Sequence, residues 1–155
     1  MEAALASNIE VIRNAIRGGT DVNTADPDGR SALMLAAFNG HSEVVRLLIA
    51  AGARVQDADS AGRTPLMYAA TDANDETVDI LLQQGAIVDR ADAGEGWTPL
   101  MFAAAEGHTG VAEILLKAGA DPTLIDKDKD TAADFARQRG HTQLAEKLQC
   151  AAKEG

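Results

Sequence analysis

A thirteen-residue pattern returns along this chain at a nearly fixed interval, and that recurrence limits the possible folds more than any other feature. GRSALMLAAFNGH begins at Gly29, GRTPLMYAATDAN at Gly62, GWTPLMFAAAEGH at Gly96 and KDTAADFARQRGH at Lys129, so the offsets are 33, 34 and 33 residues. A second series, Gly19, Gly52, Gly85 and Gly119, is spaced by 33, 33 and 34. The single extra residue lies between Asp92 and Gly96, where DAGEG replaces the shorter DSAG. The N-terminus keeps the same register, because AALASNIEVIRNAIRGGTDVN from Ala3 aligns with AAFNGHSEVVRLLIAAGARVQ from Ala36. The chain is therefore about four and a half copies of one unit. A period of this size is the signature of a solenoid, in which one supersecondary unit stacks on its neighbours.

Each unit reads as two helices and a loop. Ser31, Thr64, Thr98 and Thr131 are N-cap candidates, and Pro65 and Pro99 stand at the first helical position. The short first helix ends around Gly40, Gly107 or Gly140, where glycine can turn left-handed. A second helix follows in SEVVRLLIAAG, ETVDILLQQG and GVAEILLKAG, with apolar residues at helical spacing such as Val44, Leu47 and Leu48. A short extended segment and a polar turn, TADPDG or DADSAG, lead to the next cap. No single unit can bury its own apolar face, but a stack can. The spacing divides a single domain, 1–155, into a partial N-terminal capping unit at 1–25, units at 26–58, 59–91 and 92–125, and a C-terminal capping unit at 126–155.

Composition excludes several functions. A chain of 155 residues suffices for one domain, and only 3% are aromatic while alanine is plentiful, which suits thin cores between closely packed helices. The formal charge of −10 argues against nucleic-acid binding, which needs clustered Lys and Arg, and favours a basic partner over self-association. A monomer is expected. With one cysteine, Cys150, no intramolecular disulfide can form. No apolar run approaches the ~18 residues of a membrane span. The expected location is cytoplasmic. The first unit opens inside its first helix, so that helix is very short or the chain was trimmed, and a removed targeting segment stays open.

Period 33, G-x-T-P-L, A-A, G-H and V-V-x-L-L-x-x-G-A-x-V together resemble the ankyrin repeat, over Ala3 to about Lys153. The resemblance implies an all-α solenoid: stacked helix-turn-helix units with short β-hairpin-like loops projecting to one side. There are departures. Met34, Met67, Met101 and Asp134 occupy a position that is often His in the family. Ala73-Asn74 replaces Gly-His, and Thr131-Ala132-Ala133 replaces Thr-Pro-Leu, as suits a polar terminal cap.

Catalytic and metal-binding readings are weak. His41, His108 and His141 share one repeat position, so each is expected to satisfy backbone groups at the turn between its helices. Packed helices stand ~8–10 Å apart, whereas zinc needs ligands at ~2.0–2.3 Å. DKDKD, Asp126 to Asp130, starts like a calcium loop, but Thr131 and Arg137 stand where an EF-hand needs Gly and Glu. It is the loop equivalent of DADSAG, expected as a solvated loop. Cys150 has no recurring base near it in sequence, and DAGEGW lacks a P-loop lysine. The methionines recur in register and are expected to pack. Neither catalysis, a cofactor nor a metal is expected.

The aromatics divide by repeat position. Tyr68, Phe102 and Phe135 share a slot with Leu35 and are expected in the core. Trp97 shares a slot with Arg30, Arg63 and Asp130, and Phe38 with Thr71, Ala105 and Gln138. Residue type varies at both slots, so packing does not dictate either. The resemblance implies that these slots face a concave groove between loops and first helices where partners are gripped. Trp97 is then either an interface anchor or a ring lying over DAGEG. The implied partner-binding set is Asp28, Arg30, Phe38, Asn39, Arg63, Thr71, Asp72, Glu95, Trp97, Ala105, Glu106, Asp130 and Arg139. A protein or peptide patch with an apolar centre and some basic rim would suit it. The function expected is non-catalytic recognition by an adaptor or regulator. The alternatives are an enzyme or a metal- or ligand-binding protein that uses the groove as a pocket, and a consensus-like or engineered scaffold with no dedicated partner.

Overall fold

Ten helices, arranged as five successive pairs, carry the described residues of the computed structural model, 1–5 and 8–154. In chain order they are α1 (Glu2–Leu5), α2 (Ile9–Arg17), α3 (Ala32–Phe38), α4 (Ser42–Ala50), α5 (Pro65–Ala70), α6 (Asp75–Gln83), α7 (Pro99–Glu106), α8 (Thr109–Lys117), α9 (Ala132–Gln138) and α10 (Thr142–Glu154). The first helix has four residues. Ala6 and Ser7, which the register aligns with Asn39 and Gly40, lie outside the described residues, as does Gly155. Among the described residues β structure is confined to two isolated bridges, Ala25 with Ser31 and Ile125 with Thr131, each closing a hairpin-like loop. The chain is an all-α repeat solenoid.

The predicted caps form. Ser31, Thr64, Thr98 and Thr131 take extended backbone angles, and their hydroxyl oxygens accept from the N–H of Met34, Met67, Met101 and Asp134. The reverse bond is unusual in three units. The cap N–H donates to the thioether sulfur of Met34, Met67 or Met101 at 3.4 Å. In the last unit the Thr131 N–H donates to the Asp134 carboxylate at 3.0 Å. These methionines are almost fully buried, so one side chain both packs the core and closes the helix end.

Stacking makes the core. Leu33, Leu66 and Leu100 of the first helices are buried, as are Val44, Leu48, Val78, Leu81, Val111 and Leu115 of the second. Alanines at 36, 37, 69, 70, 103, 104 and 136 are buried between first helices, where α3 lies on α5, α5 on α7 and α7 on α9. Small side chains let these short helices approach closely. The second helices form a parallel row, α4 on α6 and α6 on α8.

The loops stack as well. The Ser60 N–H donates to the Asp28 carbonyl at 3.0 Å, Ala93 to Ala61 at 2.9 Å and Lys127 to Glu95 at 3.0 Å. This ladder explains Gly29 and Gly62, where the next loop leaves no room for a Cβ, and the exception in the last loop. Gly62 has φ 80°, and a Cβ there would meet the Ala93 nitrogen at 2.5 Å. Lys129 takes φ 68° at the same position in the last loop. No further loop stacks on it, so its side chain has room, at the conformational cost of a left-handed L residue.

The Gly-His pair also has an inter-repeat cause. The ring of His141 lies over Gly107, where a Cβ would stand 2.5 Å from it. The His108 ring nitrogen Nε2 sits 3.1 Å from the Thr71 carbonyl of the preceding repeat. Histidine does meet backbone, as the sequence suggested, but the carbonyl belongs to the repeat before rather than to its own turn.

Two glycine variants separate conformation from packing. Gly52, at φ 92° with open space around it, should lose about 1 kcal/mol as Gly52→Ala. Gly107→Ala, at φ 78° and under the His141 ring, should lose about 3 kcal/mol. Urea unfolding of both measures the difference, and equal losses would show that the ring does not rest on Gly107.

Candidate functional site

The site begins with one aspartate per loop. Asp26 accepts from the N–H of Asp28 and Arg30, Asp59 from Ala61 and Arg63, Asp92 from Glu95, Gly96 and Trp97, and Asp126 from Asp128 and Asp130. One carboxylate oxygen folds each turn. In two loops the second oxygen holds the residue before the cap: Arg30 Nε at 2.8 Å from Asp26, and Arg63 Nε at 3.0 Å from Asp59. DKDKD follows the same plan, since both oxygens of Asp126 are engaged by protein N–H groups.

Trp97 breaks the plan in an informative way. It stands in the arginine slot, but its indole N–H donates forward to Asp126 of the next repeat at 3.1 Å. Its ring packs 4.3 Å from Phe135 and edge-on to Phe102 at 5.2 Å, centroid to centroid. The residue is half-buried. It is tied to the following repeat. The variability of its slot concealed this packing, because the partners are not equivalent residues of other units.

A second aromatic group lies nearer the N-terminus. Phe38 is 44% exposed and meets Tyr68 edge-to-face at 6.3 Å. The Tyr68 hydroxyl donates to Asp59 at 2.7 Å, and the Arg63 guanidinium lies 5.1 Å from the centre of the Tyr68 ring. Leu35, Phe38, Tyr68, Arg30 and Arg63 line one open pocket with Asp26, Met1 and Glu2. Sequence reasoning placed Tyr68 and Phe102 in the core with Leu35 and Phe135. Only Leu35 and Phe135 are buried, at 8% and 7% exposure, and Tyr68 and Phe102 are half-buried. The signal for Tyr68 was its hydroxyl, which needs a polar partner.

The remaining candidates fall along two rows. On the loops, Asp28 is exposed and pairs with Arg30 at 3.1 Å, Glu95 is exposed, and Asp130 accepts from Gln138 at 3.1 Å. At the ends of the first helices, Asn39 donates to the Leu35 carbonyl at 2.8 Å, Thr71 Oγ1 to the Met67 carbonyl at 2.9 Å, and Asp72 accepts from Asn74 at 3.2 Å. Glu106 and Arg139 are exposed there. Ala105 is a correction. It is buried at 3% exposure and belongs to the core, so its side chain offers a partner almost no surface.

The ionisations follow from these contacts. Burial pushes the Tyr68 hydroxyl up, and its bond to Asp59 pushes it further, to about 12. Burial alone would raise the Asp59 carboxyl. The hydrogen bonds from Tyr68 and the Arg63 backbone, with the Arg63 charge, outweigh it and hold Asp59 below its ordinary value. The Thr131 hydroxyl and N–H, and then Arg137, hold Asp134 low in the same direction.

The family model described as ankyrin repeats (3 copies) matches residues 1–92, and that of a single ankyrin repeat matches residues 95–127. No curated protein matches the sequence.

Tyr68 is the only tyrosine, so its titration can be read without assignment. Absorbance at alkaline pH should show a midpoint near 12 instead of 10.0. Because the folded value is raised, the stability contributed by the neutral hydroxyl is whole below 10.0 and is lost as pH rises through about 12. A midpoint at the ordinary value in the folded protein would contradict the Asp59 bond. The depressed Asp59 and Asp134 act at the other end. Their contribution is present above 3.8 and should fall away as acid takes the pH through their lowered values, visible as a fall in melting temperature.

Proposed function

The chain belongs to the ankyrin-repeat family, and from that premise we propose that it is a non-catalytic adaptor or regulator that holds a protein or peptide in the groove between its loops and first helices. Ankyrin repeats are in general protein–protein interaction modules, and their proteins are typically non-catalytic. The observation that carries the reading here is Phe38. A large ring left 44% exposed, edge-on to a half-buried tyrosine, has little reason to be there for folding alone. An aromatic pair of this kind is a good anchor for a partner's apolar side chain.

In this reading Asn39, Thr71, Asp72, Glu106 and Arg139 form one wall of the groove. Asp28, Arg30, Arg63, Glu95, Trp97 and Asp130 form the other. The charge of −10 supports a monomer with no affinity for nucleic acid. Among the described residues no helix is long and apolar enough to cross a membrane. Cytoplasmic residence is part of the proposal, since no disulfide within the chain has to be maintained.

Trp97 serves both the fold and the proposed groove, so its removal confounds the two. The test is affinity capture from the source cell's lysate with wild type, Phe38→Ala and Trp97→Phe, each checked by circular dichroism. Phe38→Ala should keep the helical signal and lose the captured protein, at a cost of about 2 kcal/mol in affinity. Trp97→Phe should weaken capture less, because ring packing survives and only the indole bond is lost. Capture unchanged in folded Phe38→Ala would refute the anchor. No capture by any form would favour a stable scaffold without a dedicated partner.

A further inference from the structure

Resting on the reading that the groove holds a partner, we propose that its occupant is a basic–apolar segment. One apolar side chain seats against Leu35, Phe38 and Tyr68, and neighbouring Lys or Arg side chains face Asp72 and Glu106. The argument is one of charge placement around an apolar seat.

The two arginines beside the seat are already neutralised. Arg30 is held by Asp26 at 2.8 Å and Asp28 at 3.1 Å, and Arg63 by Asp59 at 3.0 Å. Arg63 also lies against the Tyr68 ring. These cations brace the loops and shape the wall, and little of their charge is left for an anion.

The helix-end wall is different. Asp72 lies just beyond the C-cap of α5, and Glu106 is the last residue of α7. Neither forms an ion pair with a described residue. A carboxylate at a helix C-terminus meets the negative end of the helix dipole and is disfavoured there. The flanking units hold Asn39 and Arg139 as the C-caps of α3 and α9, which suit such a terminus better. Two successive carboxylates, each added to a negative dipole end, leave a negative stretch that folding does not call for. A cation on the partner would relieve it.

The spacing restricts the segment. Asp72 follows Tyr68 by four residues and stands two residues past the end of α5 at Ala70. Glu106 lies one repeat on, ~10 Å by ordinary helix packing. An extended chain rises ~3.3 Å per residue, so the basic residues fall within about two to five positions of the apolar anchor. A net charge of −10 speeds the encounter with such a segment.

The experiment uses the full chain labelled with nitrogen-15 and two synthetic serine–glycine peptides, each with one central leucine. One peptide flanks the leucine with lysines and the other with glutamates. The lysine peptide should shift the amide resonances of Phe38, Tyr68, Asp72 and Glu106 and bind about tenfold more tightly than the glutamate peptide at low salt. Added salt should shrink that preference. The Asp72→Asn/Glu106→Gln variant should abolish it while keeping the leucine contact. Equal binding, preference for the glutamate peptide, or no shift at these residues with either peptide overturns the proposal. Applied to the captured partner, the same variant separates the two readings. If Phe38→Ala loses the partner and Asp72→Asn/Glu106→Gln retains it without salt dependence, the groove stands and the basic occupant falls.

Discussion

Among the described residues every helix except α10, with 13 residues, is too short to stand by itself. The first helices run from four to eight residues and most second helices have nine. Isolated helices below about 12–15 residues are marginal in water. Each pair therefore depends on burying one face against the pair before it and the other against the pair after. Everything else serves that dependence. Alanines thin the first helices so that they approach, leucines and valines fill the layer between first and second helices, and glycines admit the neighbouring loop or ring.

The polar residues at the helix starts and in the loops solve a related problem. A short helix has a large share of unpaired N–H groups at its start. Serine or threonine takes one of them, and a buried methionine sulfur or the Asp134 carboxylate takes the cap's own N–H. The loop aspartates do the same for the turns. The helix starts and loop turns beside the candidate groove are thus built from groups whose hydrogen bonds are already made, and they stay in shape before anything binds. Preorganisation of this kind spares a partner much of the ordering cost of association.

Much of this was legible in the sequence. The period located the units, the Ser and Thr positions located the caps, and the apolar spacing located the second helices. What was lost concerned contacts between units. Comparing Trp97 with Arg30, Arg63 and Asp130 asks what a slot tolerates, and the answer was anything. Its actual partners, Phe135 and Asp126, are one repeat on and in different slots. The histidine series misled in the same manner, because it was read within its own turn while the His108 contact crosses to the repeat before; the left-handed glycines at 40, 107 and 140 are as the sequence suggested. Tyr68 shares a slot with Leu35 and Phe135 and so looked like core, yet its hydroxyl turns it toward Asp59 and leaves the ring half open. In the helix-end row Ala105 is buried, and the burial of so small a side chain leaves no trace in its residue type.

The cross-repeat bonds have one more property. Trp97 to Asp126, Asn23 to the Gly52 carbonyl, Ser60 to Asp28 and His108 to Thr71 span 29, 29, 32 and 37 residues. Each links neighbouring units. Adding a unit to such a chain would add another interface but no longer loop to close. Loop-closure entropy, which slows the folding of chains with distant contacts, then has the same value at every interface. A protein built this way could lengthen over evolutionary time without its search for the native state becoming harder, since each new unit docks onto a template already standing beside it.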